Sequence, residues 1–290
     1  MNLKRVAIAI PIHAPHFQFG TQWVYASMGA EFDLVFVHTT KEEQSAFEQH
    51  FPQTALDHFQ SLVLADHFSE DQLALLAQKR AQPSVKKFYA LERLQAHYRH
   101  VICLDAECLV LRRSGWDQAA QTIMSRQQWF GGQLHPGMVG ERQIVQCSMT
   151  ELPLPYGLLS PYTHRIEDLI YTWWWDLPIY ESAHLPAFLD WIGWYHKDEF
   201  LRRISWFSFD HVVYQWFTHL FHGFELVTCT GHFHSLEFSP SRVVECMHTK
   251  VAQLHWVNGL AYTQNPTFYQ ERGFLAVFHL DRSVYPNFNP

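Results

Sequence analysis

The sequence predicts an α/β fold: a mostly parallel sheet with helices on its flanks. Three observations carry that prediction. Short apolar runs alternate with helix-like segments through the first third of the 290 residues, which is the pattern of repeated βαβ units. The runs are nearly continuous in apolar residues, as suits strands buried on both faces. Helix-start signals fall between them.

The elements follow in order. Residues 6–12 form the first strand, a run of Val, Ala and Ile ending at Pro11 and Ile12, with His13 beyond. Residues 34–37 form the second. Thr40 and Glu43 then have capping-box spacing and start a helix, and Ser69 and Gln72 repeat that spacing after a third strand at 62–65. Pro83 interrupts any smooth helical continuation. Ser84 can cap the next helix, whose apolar face is Val85, Phe88, Leu91, Leu94 and Tyr98. Residues 101–104 form a fourth strand, followed by Asp105-Ala106-Glu107 and a short run at 108–111. Past Gly115 the pattern loosens. Gly131-Gly132 reads as a loop. Helices are expected at 183–192 and, capped by Asp210, at 211–221. Strands are expected at 226–229 and 274–280.

Composition narrows the function. Charged residues are 17% and hydrophobic ones 48%, so most of the chain is not disordered. A net charge of −7 with 21 Lys and Arg argues against a nucleic-acid surface. The five cysteines contain no C-x-x-C pair, which argues against a disulfide framework or a cysteine-built zinc site. A reducing, cytoplasmic setting follows as an expectation. No run reaches the length of a membrane span, although aromatic surface suits peripheral contact with the inner face of a membrane. The 20 His are expected to include many that protonate near pH 6.

In parallel sheets, ligands bind beyond the carboxyl ends of the strands. The residues at those ends are His13, His38, Asp66 and Asp105. Asp105 and Glu107 are two apart, so an extended backbone turns both carboxylates to one side. Such an oxygen-rich pair suits Mg²⁺ or Mn²⁺, while the tripeptide alone also describes a solvated turn. Lys86 and Lys87 are placed in the first turn of the preceding helix, where cations oppose the helix dipole unless an anion binds there.

Three segments together resemble a GT-A-fold, nucleotide-sugar-dependent glycosyltransferase of the kind that assembles bacterial surface polysaccharide. They are VAIAIPIH at 6–13, KKFYAL at 86–91 and VICLDAECLVL at 101–111. The last is similar to the hydrophobic strand and D-x-D signature of that superfamily. DLPIYE at 176–181 and SFDH at 208–211 match more vaguely. The resemblance implies a GT-A-like, Rossmann-type sheet with an aromatic-rich C-terminal acceptor part. It places a nucleotide-sugar-binding half at 1–112 and an acceptor-binding and catalytic half at 113–290 of the same body. It also implies a divalent metal, Mn²⁺ or Mg²⁺, on Asp105, Glu107 and a C-terminal His, for which His279 is the choice over His232, His234 and His248. Glu107 departs from the usual Asp. Pro11, His13, Asp66, Lys86, Lys87 and Asp105 become the nucleotide-sugar contacts.

Inverting transfer needs a carboxylate base at the acceptor hydroxyl. Asp210 and Glu181 are the candidates, with Asp168 behind them. Trp and Tyr in the second half suit stacking on a saccharide or glycolipid acceptor, although most must pack the core. The reading is transfer of a sugar from a nucleotide diphosphate, a UDP-sugar by preference. Its rivals are a metal-dependent hydrolase or nucleotidyltransferase, and a non-catalytic carbohydrate-binding protein.

Overall fold

The computed structural model describes residues 4–133, 139–152, 170–171, 176–230 and 255–278. In chain order the strands are β1 (Lys4–Pro11), β2 (Asp33–His38), β3 (Phe59–Val63), β4 (Tyr98–Cys103), β5 (Leu109–Val110), β6 (Gln128–Gln133), β7 (Ile170–Tyr171), β8 (Ile179–Glu181), β9 (Glu225–Thr230), β10 (Trp256–Asn258) and β11 (Ala276–Phe278). The helices are α1 (Phe17–Ser27), α2 (Lys41–Glu48), α3 (Gln53–Leu56), α4 (Glu70–Gln78), α5 (Gln82–Leu94), α6 (Trp116–Arg126), α7 (Val139–Thr150), α8 (Leu185–Trp191), α9 (Lys197–Arg203), α10 (Asp210–His222), α11 (Gly259–Gln264) and α12 (Pro266–Glu271).

The main sheet has the order β3-β2-β1-β4-β8. β1, β2, β3 and β4 run parallel, and β8 is antiparallel to β4. From β1 the chain moves outward to β2 and β3, then returns to the other side of β1 as β4. That reversal leaves a crevice beyond the carboxyl ends of β1 and β4. The predicted α/β, mostly parallel architecture is therefore the observed one. Strands from beyond residue 112 pair with strands before it. β8 completes the main sheet, and β5 pairs with β11 in a second sheet ordered β10-β11-β5.

Burial explains why the strands are legible. Ala7 to Ile10 of β1, Val35 to Val37 of β2 and Val101 to Cys103 of β4 have no exposed surface. On α5, Val85, Phe88, Leu91 and Leu94 face the sheet, and the first three are wholly buried. Each such side chain contributes about 1.5–3 kcal/mol. α1 approaches closely at Gly20, where a Cβ would lie 2.5 Å from Ile12 Cδ1 and 2.7 Å from Phe47 Cε2.

The capping signals hold in detail. Ser69 and Gln72 form both bonds of a capping box. Thr40 Oγ1 accepts from Glu43 N, but the Glu43 carboxylate turns to Thr39 N and Lys86. Several expectations are corrected. Ser84 does not cap α5. The helix begins at Gln82 with Pro83 in its first turn, where the missing N–H is no loss. Lys86 and Lys87 therefore stand in the second turn. Gly131-Gly132 lies inside β6, at a shift in its register with β9, as glycines in strands often mark.

The second half packs as its composition requires. Trp194 and Trp216 are buried and Trp191 nearly so, while Trp206 is 46% exposed. Trp173, Trp174 and Trp175 lie outside the described residues, as do His232, His234, His248 and Asp168. Cys103, Cys108 and Cys147 are free thiols. No helix among the described residues is long and apolar enough to cross a membrane.

Not all the histidines are surface groups that titrate near pH 6. His38 and His211 are buried. Burial and the nearby Lys86 push His38 down to about 4, and burial and Lys87 push His211 down to about 3. Unfolding restores each to about 6.5, so the unfolded chain binds more protons between that value and the folded ones. Stability therefore falls as pH drops below about 6.5. These two groups together are expected to remove roughly 4 kcal/mol between pH 7.5 and 5. Urea midpoints at pH 7.5 and 5 check this, and equal midpoints would contradict it.

Candidate active site

The crevice at the end of β4 contains a buried ion cluster. Asp105 follows the strand directly. The backbone then turns, with Cys108 N donating to Asp105 O at 3.1 Å. Lys87 reaches down from α5 and places Nζ 2.9 Å from Asp105 Oδ1 and 3.6 Å from Asp210 Oδ1. Tyr180, on β8, donates its hydroxyl to Asp210 Oδ2. Four elements thus meet on one carboxylate pair. Lys87, Asp105 and Asp210 line a single cleft, closed by Pro178, Phe209, Trp256 and Phe278.

Local structure holds Asp210 in place. It is the first residue of α10, whose N-cap Phe209 makes no side-chain cap bond. The capping role expected for Asp210 is thus not what its carboxylate does. Its approach loop is pinned to the end of α7. Ser205 and Ser208 both donate to Glu151 Oε2, at 2.6 and 2.9 Å, and Phe209 N donates to Ser148 Oγ. One turn along α10, Tyr214 OH accepts from Glu181 N and fixes the helix to β8.

The electrostatics follow from burial and neighbours. Burial opposes the charge on Lys87, but Asp105 and then Asp210 outweigh it and raise its pKa. Lys87 is therefore a fixed cation. Asp210 is pushed up by burial, against the pull of Lys87 and the Tyr180 hydrogen bond. Its side chain is 3% exposed, whereas that of Asp105 is 38% exposed. With both carboxylates ionised the cluster carries one net negative charge, with its buried carboxylate inside and its more accessible one at the mouth. Cys103 also lines the cleft, and burial first, then Asp210, raises its thiol far above the usual range. It is wall, not nucleophile.

The other expected residues do not line this cleft. Lys86 is buried, donating to Ile12 O at 2.6 Å and pairing with Glu43 at 3.2 Å. It ties α5 to the end of β1 and has no surface to offer a nucleotide. Pro11 ends β1 inside the sheet, and His13 is exposed beyond it, with its ring 4.2 Å from that of His16. Asp66 is exposed and pairs with Lys41. It follows β3, three strand spacings or roughly 14 Å from β4. Glu181 is opposite His100 in the β4–β8 ladder, five residues or roughly 16 Å along β4 from Asp105. The structure does not bring it to the cleft.

The metal expectation is corrected in its premise. Asp105 and Glu107 stand in a turn, not on an extended strand. Asp105 meets Lys87, while Glu107 Oε2 lies 3.9 Å from His16 Nδ1. No group of three or more His, Cys, Asp or Glu side chains among the described residues could hold a metal ion. His279 lies outside the described residues.

No protein-family model matches the sequence, and no curated protein matches it. Among solved structures, the chain is similar to the WbbM bifunctional glycosyltransferase in its apo form. The TM-score is 0.44 and the identity 10%, over 95% of this chain and 46% of that one. The chain thus spans about half the length of that protein. It is also similar to mouse xyloside xylosyltransferase 1, apo form, with a TM-score of 0.35 and 10% identity over 100% of both chains. Likeness of this size transfers no residue roles, which rest on the geometry of the cleft.

Sequence reasoning had Lys87, Asp105 and Asp210 but not their union. It missed Tyr180 as the partner of Asp210, and His211, Trp256 and Phe278 as cleft residues. Tyr180 and His211 do fall in the two segments quoted as vague matches, which the Tyr180–Asp210 bond joins. Trp256 and Phe278 carried no signal, because a buried aromatic in a strand reads as core.

Proposed function

We propose that the protein is a glycosyltransferase that moves a sugar from a nucleotide diphosphate donor, a UDP-sugar by preference, to a saccharide or glycolipid acceptor. The observation that supports this reading is the Asp105–Lys87–Asp210 cluster in the cleft at the carboxyl end of β4. Glycosyl transfer passes through an oxocarbenium-like state. A fixed net negative charge in a cleft of low polarity favours the positive charge that then develops on the sugar. Asp105, at the mouth, bonds donor hydroxyls. Asp210, with its raised pKa, takes the proton from the acceptor hydroxyl. Lys87 holds the two carboxylates at fixed separation.

Nucleotide binding tests this directly. Ligands of the native state raise the melting temperature by mass action. UDP at a hundred times its Kd is expected to add about 2.7 kcal/mol of stability. The shift is to be measured in Mn²⁺ and in EDTA. A shift that needs Mn²⁺ assigns the outer oxygen of Asp105 to a cation, with phosphate oxygens completing its shell. A shift that survives EDTA assigns the counter-charge to side chains. Stabilisation by free glycans, with none from UDP, GDP or CMP, would replace this reading with a carbohydrate-binding protein.

A further inference from the structure

The cleft is narrow. Among the described residues its free space is about 20 Å³, which is room for one water and not for a sugar ring. A donor sugar and an acceptor hydroxyl would therefore meet at its mouth. The Asp105 side chain is 38% exposed there, while that of Asp210, at 3%, stands behind it. On the glycosyl-transfer reading, a proton leaving the acceptor has to cross the space between.

The polar atoms of the wall are spaced for a bridging water. Lys87, Asp105 and Asp210 all line this space. Lys87 Nζ has three N–H groups to donate. One reaches Asp105 Oδ1 at 2.9 Å. Asp210 Oδ1 lies 3.6 Å away, beyond direct hydrogen-bond range, and a polar contact of that length is where a water fits between. Tyr180 donates to the other oxygen, Asp210 Oδ2, so Oδ1 is the one beside the ammonium. A buried water needs two to four polar partners, and one cation with two carboxylates supplies three. An ion suits the space less well. A second cation would meet Lys87, and an anion would meet two carboxylates.

We propose that the cleft binds one ordered water between Lys87, Asp105 and Asp210, and that this water carries the acceptor proton to Asp210 Oδ1. The proposal rests on the reading of the cleft as a glycosyl-transfer site. The water accepts from Lys87 Nζ and from the acceptor hydroxyl, and it donates to Asp105 and to Asp210 Oδ1. In the transfer step the acceptor oxygen bonds to the sugar carbon. The bond from that carbon to the diphosphate oxygen breaks, and its electron pair leaves with the diphosphate. The acceptor O–H proton passes to the water oxygen, and the water passes a different proton to Asp210 Oδ1. General-base catalysis works through one such water as well as by direct contact. Two protons then move in the step where direct contact would move one.

Two measurements on the full chain test this. The first is a high-resolution crystal structure, in which a water is expected within about 2.7–3.2 Å of both Lys87 Nζ and Asp210 Oδ1. The second is the single-turnover rate of transfer from a UDP-sugar in mixtures of H₂O and D₂O. The rate is expected to curve downward with the deuterium fraction, as two moving protons require. Asp210→Glu lengthens the side chain by one methylene into the space. It is expected to expel the water, to slow transfer by ~100-fold through misplacement of the base, and to straighten the plot for the activity that remains. If that variant does not fold, the wild-type structure and plot decide the matter. Transfer with no water at this position overturns the proposal and leaves the glycosyl-transfer reading standing. A straight wild-type plot overturns the relay, because Asp210 then meets the acceptor directly. A water in place, with no transfer from any sugar nucleotide, overturns the glycosyl-transfer reading and the relay with it.

Discussion

Asp105→Asn is expected to lower sugar transfer by ~100-fold or more, the scale seen when a group that meets developing charge is removed. The fold should survive. Asp105 faces Lys87 at 2.9 Å, but its side chain is 38% exposed, so solvent screens the pair and its loss is worth about 1 kcal/mol or less. The melting temperature should therefore drop by only a few degrees. The contrast between the two readouts is the content of the prediction. Turnover of a UDP-sugar close to wild type would remove Asp105 from the site, and a collapse in melting temperature would make it a structural residue.

Lys87→Met should give the largest loss of stability of any single change in the cleft. Lys87 lies between Asp105 and Asp210, and the Asp210 side chain is 3% exposed. Removing the cation leaves that carboxylate buried without its counter-charge. Breaking a buried pair in this way costs about 3–5 kcal/mol. The low end is expected, because Tyr180 still donates to Asp210 and Asp105 can hydrate. The loss should depend on pH. Burial already raises the Asp210 pKa, and without Lys87 it rises further. A raised folded pKa contributes stability at low pH that is lost as pH rises through it. The deficit of the variant relative to wild type should thus be smaller at pH 5 than at pH 8. Urea unfolding of both proteins at the two values measures it. A deficit independent of pH would show that Asp210 does not stay charged and buried as described.

The first four parallel strands were legible because burial on both faces leaves a continuous apolar run. β3 was misplaced by two or three residues, since Phe59, Gln60 and Ser61 of this outermost strand are only partly buried or exposed and so lack that run. The second half was harder for a related reason. β8 has three residues, Ile179 to Glu181, and belongs to the main sheet only by pairing with β4 across a long stretch of chain. Nothing local to those residues says so. Glu181 looked as promising as Asp210 because both are acids in aromatic surroundings. The ladder register sends Glu181 away from the carboxyl edge, and the start of α10 sends Asp210 toward it.

Lys86 and Lys87 make the same point at closer range. They are adjacent in sequence and identical in type, and together they suggested an anion site. On α5 they differ by about 100° in direction. One is sealed against Ile12 O and Glu43, and the other is aimed at two carboxylates.

The sequence by itself determined the alternation of strands and helices, the parallel sheet, and the placing of Asp105 at the end of a buried strand. These follow from local spacing and hydrophobicity, which a chain carries with it wherever it folds. Only the tertiary structure decided that Asp105 and Asp210 share Lys87, that Tyr180 completes the cluster, and that His211 and Trp256 line the cleft. Those contacts join residues far apart in the chain through strand register and helix direction. A carboxylate buried near a cation has the same sequence as one in water, and only the packing around it distinguishes the two.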